Sequence, residues 1–322
     1  MKTPSIAALL FASMAPAVAA QGGSGSQDPF AGLDQALASV KRTFASDQAP
    51  LTDADVHALA AKIEALSGVD LSFSAQRSTA KEAVYLNDQD ASSILEINLR
   101  NGAFLFNAGM DGLRRDENTP RLPREDRAEE VARRRLRELD LLPGGVNLRV
   151  EHIGGIDMAV HRPDGTTESF RKLVTVRFSR VQDEFQVVGP GGRIKVTLGT
   201  DGVLRGLVRD WEHYTARNLR HAEKLRAEEI EQLAVQQVAM IAPGAATKTI
   251  ESAEVVYFED GFGVKEPAVR VVAELTFMGT RSDGKGITEI RNPYDFYVPV
   301  LRSPKAYYPH LQDRGIPPPS AD

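Results

Sequence analysis

The chain has 322 residues, of which 42% are hydrophobic and 26% are charged, and its formal net charge is −5 at pH 7. This composition is typical of a globular protein, and it excludes collagen-like, disulfide-rich and wholly disordered chains. Because the sequence contains no cysteine, it also excludes a disulfide, a zinc finger, an iron–sulfur cluster and a catalytic thiol.

Residues 1–20 have the pattern of a secretory signal peptide. Lys2 supplies the positive charge, residues 6–14 are apolar, and Ala17-Val18-Ala19 offers small residues for cleavage. The apolar run is too short to cross a bilayer, and Pro16 interrupts it. We therefore expect a secreted or periplasmic protein with no integral membrane segment after cleavage.

The mature chain is expected to be mildly acidic. Removal of Lys2 with the signal peptide leaves 38 basic and 44 acidic residues, a net charge of −6. A chain with more acidic than basic residues lacks the basic surface that binds nucleic acids, so we expect no nucleic-acid partner.

The first part of the mature chain is predicted to contain two helices. A Gly- and Ser-rich tether leads into apolar residues spaced by three and four, which predict a helix. These residues are Phe30, Leu33, Leu37, Val40 and Phe44. A second helix is predicted from Thr52, which can form a capping box with Asp55, to Gly68. Strands around 94–99 and 103–106 follow, joined by Asn101-Gly102.

Two further regions repeat the order of helix and then strands. One predicted helix lies near 124–141 and another near 225–241, and Pro-Gly sequences end both. The strands are predicted around 147–160, 168–180, 194–198, 203–209, 250–259, 267–278 and 287–300. The chain is thus divided into a signal peptide (1–20), a tether with the N-terminal helix (21–51), a first helix-plus-strands unit (52–110), a polar linker (111–123), a second unit (124–214), a third unit (215–303) and a Pro-rich tail (304–322).

The predicted fold class is α+β, built from repeated units of one helix packed on a small antiparallel sheet. Each helix would bury one face of its sheet. The other face would then meet solvent, a neighbouring unit or a partner.

The hairpin near the end of the second unit resembles a known family. Residues 189–198, the run 200–207 with its Asp-Gly turn, and Trp211 resemble the closing hairpin of PepSY-type domains and related propeptide modules of secreted metalloproteases, which have a cystatin-like α+β form. The resemblance covers 124–214 and is weaker over 225–300. It implies a stand-alone, non-catalytic module that binds or restrains a protease or another exported partner. The chain departs from the zymogen pattern, since no protease domain follows and no His-Glu-x-x-His motif occurs.

Motifs for catalysis, metals and cofactors are missing from the sequence. The sequence contains no Gly-x-Ser-x-Gly elbow and no phosphate-binding loop, and no dinucleotide fingerprint begins a helix. Among six histidines only His213 and His221 are close in sequence, and their spacing does not place them on one helix face. We therefore assign no catalytic residue, no metal ligand and no cofactor.

Three aromatic residues are the candidates for partner binding: Phe185, Tyr214 and Trp211, the only tryptophan of the chain. Aromatic rings contribute much contact energy at an interface at low entropic cost. The alternative for Trp211 is packing beneath the edge of the sheet.

The sequence favours a non-enzymatic binding module that inhibits an exported protease or assists the maturation of an exported partner. Edge-strand addition or docking on the open sheet face would provide the contact. One alternative is a secreted hydrolase whose site is assembled from dispersed residues, and another is an assembly component of the cell envelope. A hydrolase should have a deep pocket with convergent polar groups, whereas a binding module should have an apolar patch or an unpaired strand edge.

Overall fold

The computed structural model describes most of the chain between residues 28 and 308. The described ranges are 28–47, 49–90, 92–109, 121–142, 147–162, 164–210, 212–280 and 287–308. The predicted signal peptide, Trp211 and residues 309–322 of the predicted tail lie outside the described residues, as does most of the predicted polar linker.

The described residues form four α-helices and 14 strands. The helices are α1 (Leu33–Ser39), α2 (Asp53–Ser67), α3 (Glu125–Glu138) and α4 (Ala227–Ile241). The strands are β1 (Arg42–Ser46), β2 (Ser72–Phe73), β3 (Glu82–Leu86), β4 (Ser93–Asn98), β5 (Phe104–Ala108), β6 (Asn147–His161), β7 (Thr167–Gln182), β8 (Phe185–Val188), β9 (Arg193–Leu198), β10 (Leu204–Arg209), β11 (Tyr214–Asn218), β12 (Thr247–Glu259), β13 (Val264–Thr280) and β14 (Ile287–Pro299). None of these helices is long and apolar enough to span a bilayer.

The prediction of repeated units, each a helix on its own small sheet, was wrong. The strands join into one large mixed sheet in the order β11-β1-β13-β12-β8-β7-β9-β10-β5-β4-β3-β2, with β14 beside β13 and β6 beside β7. The antiparallel pair β5–β10 and the parallel pair β8–β12 connect strands that the sequence assigns to different units. Local hairpin signals do not reveal such pairings, because the paired strands are far apart in sequence.

One half of the sheet, here the α2–α3 half, comprises β2–β7, β9 and β10. The helices α2 and α3 bury the same face of this half, and they share one hydrophobic core. Ile63 of α2, Leu136 of α3, and Leu95 and Ile97 of β4 are completely buried in it. Burial of each such side chain contributes roughly 1.5–3 kcal/mol.

The other half, here the α1–α4 half, comprises β1 and β11–β14. Leu33 and Leu37 of α1 and Ile230 of α4 pack on Val269 of β13 and Phe296 of β14. The strand β8 lies between the two halves, since it pairs with both β7 and β12.

The N-terminal segment joins the half of the molecule formed by the end of the chain. Phe44, predicted to lie on the first helix, instead lies in β1, which pairs with β11 and β13. The helix α1 ends at Ser39, because the chain turns to extended backbone at Val40. Phe44 is opposite Lys265 of β13, which is more than 200 residues away in sequence.

Candidate functional site

The structure brings two of the three predicted partner-binding aromatics to the boundary between the halves. Phe185 opens β8 and Tyr214 opens β11, and both are partly buried against a small cluster of Phe44, Val187 and Tyr257. The ring centroids of Phe185 and Tyr257 are 6.1 Å apart, and those of Phe44 and Tyr257 are 5.3 Å apart. The third, Trp211, lies outside the described residues.

Charged side chains are buried beside these rings. We call the set Arg180, Tyr214, Glu259 and Lys265 the junction cluster. Arg180 of β7 forms an ion pair with Glu259 of β12, and the two side chains are 8% and 0% exposed. The ammonium group of Lys265 lies 4.3 Å from the ring centroid of Phe44 and 4.5 Å from that of Tyr214. Strands of both halves therefore meet through enclosed charges and rings.

The strand register explains why these side chains lie together. Lys265 is opposite Glu259 on one side and opposite Phe44 on the other, so the three residues form one row across β12, β13 and β1. Residues that are directly opposite each other point to the same face of a sheet. Along β13, Lys265 alternates in step with Val269 and Val271, which pack in the core with α1 and α4, so the row lies on the helix-covered face.

Two glycines let a turn pack closely on Glu259. A Cβ at Gly191 would lie 2.7 Å from Cγ of Glu259, and a Cβ at Gly189 would lie 2.4 Å from its carbonyl oxygen. Gly189 also has a φ of +98°, which side chains other than glycine rarely adopt. The Gly-Pro-Gly-Gly stretch is thus a turn that closes over the buried carboxylate.

Burial changes the acidity of the junction cluster. It lowers the pKa of Lys265 to about 7, with the charge of Arg180 as the next cause, and it lowers the pKa of Arg180 to about 10. It raises the pKa of Tyr214 above its ordinary value. A lysine with a pKa near 7 is suited to proton transfer. However, Lys265 is only 2% exposed, so it offers almost no surface to a substrate, and we interpret the cluster as structural.

A surface cavity lies at the opposite end of the sheet, between the start of α2 and strands β2 and β3. We call it the edge pocket, and its volume is about 220 Å³. It is lined by Asp53, Val56, His57, Phe73, Ser78, Thr79, Glu82, Ala83, Tyr85 and Leu99. The strand β2 ends the strand order of the sheet, so the pocket is at a sheet edge.

Three rings form one wall of the edge pocket. The hydroxyl of Tyr85 is 2.9 Å from Nδ1 of His57. The ring centroids of Phe73 and Tyr85 are 5.5 Å apart, and His57 lies 6.0 Å from Tyr85 and 6.5 Å from Phe73. All three pairs meet edge to face, the geometry that aromatic pairs prefer. Tyr85 is 3% exposed, but Phe73 is 52% exposed, so one ring of the wall is open to a ligand.

Local sequence signals position each wall. The capping box of Thr52 and Asp55 starts α2, which places Asp53, Val56 and His57 on one face of its first turns. On the sheet, Phe73 is opposite Tyr85 in the β2–β3 pair, so their rings share a face.

The charges of the edge pocket are negative. Asp53 on the α2 wall is an exposed carboxylate, whereas Glu82 alternates with Ala83 and Tyr85 along β3, so its side chain is on the opposite face of the sheet. The lining residues include no lysine or arginine. The pKa of Tyr85 is raised, first by burial and then by the charges of Asp53 and Glu64. The pocket therefore combines a negative potential with an open aromatic ring.

Sequence reasoning missed the edge pocket, because Asp53, Phe73 and Glu82 match no motif. The only signal was the capping box, which fixed the start of α2. In the part of the chain that the structure describes, no three His, Asp or Glu side chains converge as a metal site would require.

The fold defines this chain as an α+β protein with one large mixed sheet and two helix-covered halves. No family model and no curated protein matches it. An uncharacterized protein from Eubacterium rectale is similar in fold, with a TM-score of 0.50 and 12% identity over 82% of this chain and 85% of that chain. The C-terminal domain of YpeB from Bacillus megaterium aligns with a TM-score of 0.34 and 9% identity over 76% of this chain and 100% of that domain.

The first of these matches shows a shared fold and nothing about activity. The second is too weak in TM-score to carry an argument. The resemblance to PepSY-type domains therefore stays a prediction.

Proposed function

We propose that this chain is an exported, non-enzymatic binding protein that recognises an extended segment of another exported protein at the β2 edge of its sheet. The observation that carries the proposal is the edge pocket beside a strand with one free side. Within the described residues β2 pairs with β3 and with no second strand. An extended segment can add to such an edge through main-chain hydrogen bonds, while a neighbouring pocket takes one of its side chains.

The polar groups of the edge pocket favour binding over hydrolysis. A serine hydrolase needs a free hydroxyl next to a general base. The hydroxyl of Ser78 instead donates to the carbonyl oxygen of Ser74 at 2.7 Å and accepts from the backbone N–H of Val84 at 3.0 Å. Nδ1 of His57 is engaged by the Tyr85 hydroxyl. The pocket can thus bind a ligand through its shape and charge, whereas the hydroxyl of its one serine stabilises the turn between β2 and β3.

The open face of the α1–α4 half is a weaker candidate for docking, because ion pairs cover it. Arg270 contacts Glu254 at 3.2 Å and Asp295 at 3.1 Å, and Arg291 contacts Glu274 at 3.6 Å. Charges that are already paired across strands keep this part of the face polar, so it offers an extended apolar segment little to pack against.

Site-specific photocrosslinking tests the proposed function. The mature chain would carry a photoreactive phenylalanine analogue in place of Phe73, and a matched control would carry it in place of Phe262, which is 50% exposed but lies in the α1–α4 half. After exposure to the exported proteins of the source cell, we expect a partner to be captured at position 73 and not at 262. The captured partner should then bind the unmodified chain as a purified protein, and the crosslinked peptide should come from an extended segment.

Equal capture at both positions, or no capture at position 73, would contradict the proposal. Assays of the purified partner would next separate two roles. Loss of its proteolytic activity on binding would indicate inhibition, whereas a higher refolding yield would indicate assistance in maturation.

A further inference from the structure

The strand β14 has a free side along most of its length. In the part of the chain that the structure describes, this strand of 13 residues pairs with β13 and with no second strand. Residues 289–295 are all exposed, so this stretch of the edge is open to solvent. A long exposed strand edge is a template on which another chain can pair.

The direction of the backbone groups shows which residues of β14 can pair outward. The N–H of Val300, which directly follows β14, donates to the carbonyl oxygen of Pro267 in β13. The β13–β14 pairing has no register shift, and backbone groups alternate in direction along a strand, so the even-numbered residues pair with β13. The odd-numbered residues therefore point their backbone groups to the free side. Pro293 and Pro299 have odd numbers, which agrees with the rule that proline in a strand faces a free edge.

The segment Glu289-Ile290-Arg291 is self-complementary in charge. If two copies pair antiparallel with Ile290 opposite Ile290, then Glu289 of each copy lies opposite Arg291 of the other. These two residues have outward backbone groups, so they would exchange both of their N–H···O bonds, and their opposite charges would stabilise the pair. A pair centred on Glu289 or on Arg291 would instead place like charges opposite each other, which is unfavourable.

The pairing requires only an exchange of charge partners. Within one copy, Glu289 and Arg291 are 2.7 Å apart, and both side chains are exposed. An exposed ion pair contributes little to stability. Replacing it with two pairs between the copies leaves all four charges with a partner.

An exposed apolar side chain lies at the centre of this segment. Ile290 is 45% exposed and lies opposite Phe277 of β13, which packs against the core beneath α4. Because Ile290 pairs its backbone with β13, two Ile290 residues at the centre would form a non-hydrogen-bonded pair, in which side chains approach closely. Each Ile290 would therefore cover the other.

We propose that two copies of this chain associate through β14, antiparallel and about a twofold axis at Ile290, so that their sheets become continuous. A twofold contact of this kind closes on itself and covers the free edge. The inference goes beyond the proposed function and does not depend on it, because β2 and the edge pocket belong to the other half of the sheet. The dimer would carry two edge pockets, which would strengthen binding of a partner that has two recognised segments.

Sedimentation equilibrium of the mature chain tests this inference. A contact of a few strand residues is small, so we expect monomer at roughly 1 μM and dimer at roughly 1 mM. Glu289→Arg and Arg291→Glu each place like charges opposite each other at two positions, and each should weaken association about tenfold. The two changes combined restore opposite charges and should restore the dimer. Arg162→Glu is the matched control, because it reverses an exposed ion pair with Glu168 in the β6–β7 hairpin, and it should leave association unchanged.

Disulfide crosslinking checks the register, because the chain has no cysteine of its own. Ile290→Cys places the two thiols at the twofold axis, where directly opposite Cβ atoms lie roughly 4.5 Å apart, so oxidation should link two copies. Asn292→Cys is the control, because its two copies would be separated by four residues along the strands, roughly 13 Å.

Three results would overturn the inference. They are a chain that stays monomeric at roughly 1 mM, a dimer that both single charge reversals leave unchanged, and a disulfide that forms as readily in Asn292→Cys as in Ile290→Cys. Since the substituted side chains are exposed, all variants should unfold at the same urea concentration as the parent chain. Loss of the dimer in both single reversals with its return in the combined variant would support the twofold pair.

Discussion

The junction cluster and the edge pocket each place a carboxylate next to aromatic rings, and they differ in what that carboxylate contacts. At the junction, Glu259 is completely buried and pairs with Arg180. At the edge, Asp53 is exposed and makes no ion pair with another described residue. A buried charge without a counter-ion strongly destabilises the fold. An exposed charge is solvated by water, so it can remain unpaired until a partner supplies a counter-ion. The comparison teaches that similar residue types can have different roles. They join the two halves of the sheet at the junction, and they are available to bind a ligand at the edge pocket.

The largest expected effect is at the junction. Arg180→Met keeps most of the apolar stem and leaves the Glu259 carboxylate buried without its cation. We expect it to lower the free energy of unfolding by about 3–5 kcal/mol, measured by urea denaturation at pH 7. The control is Arg162→Met, which removes an exposed ion pair with Glu168 and should cost no more than about 1 kcal/mol. Similar losses in both variants would show that the junction pair is no more important than a surface pair.

The second prediction concerns the pH dependence that Lys265 gives to the junction. Burial lowers its pKa from 10.5 to about 7 on folding, so between these values the unfolded chain binds more protons than the folded chain. The free energy of unfolding should therefore rise with pH through this window, by about 2 kcal/mol from pH 7 to pH 9. The raised pKa of Tyr214 acts with opposite sign, but only at higher pH, where unfolded tyrosines ionise.

The variant Lys265→Met tests this assignment, because methionine can fill the space between Phe44 and Tyr214 without a charge. We expect it to remove most of the rise in stability between pH 7 and pH 9, as followed by urea denaturation at several pH values. A rise of the same size in the variant would assign the pH dependence to another group.

The smallest expected change in stability is at the edge. Thr52→Ala removes the side-chain cap of α2, which should lower the free energy of unfolding by about 1 kcal/mol. Because α2 carries Asp53 and His57, the loosened helix start should also lower the crosslinking of the partner at position 73. Thr249→Ala, an exposed threonine on β12, should change stability by no more than about 0.5 kcal/mol and leave that crosslinking unchanged. Unchanged crosslinking in Thr52→Ala would show that the pocket does not depend on the cap.

Local elements of the fold could be predicted from the sequence. The helix from Thr52 to Gly68 was predicted with both of its caps, and the structure has the capping box and the left-handed glycine at these positions. The hairpin predicted around 194–198 and 203–209 forms as β9 and β10. Both predictions depend on residues within about 20 positions of each other, which is the range over which caps, turns and periodicity act.

The joining of these elements could not be predicted in the same way. Phe44 extends the helical spacing of the first apolar stripe, but it pairs with Ala216 and Lys265 as part of a strand. Tertiary pairing overrides such local preference, because a strand buried between two others gains more than one further helical turn. The edge pocket could not be predicted for a related reason. Its ring pair and its acidic residues come from separate segments of the chain, and only the fold brings them together.

The sequence alone determined the positions of the main helices and hairpins, the lack of cysteine chemistry and the mildly acidic charge. Tertiary structure alone decided that the strands form one sheet, that Arg180 meets Glu259 between two cores, and that Asp53 shares a pocket with Phe73. The physical reason is that caps and turns depend on near neighbours, whereas the pairing of distant strands depends on which faces of the whole chain can be buried together.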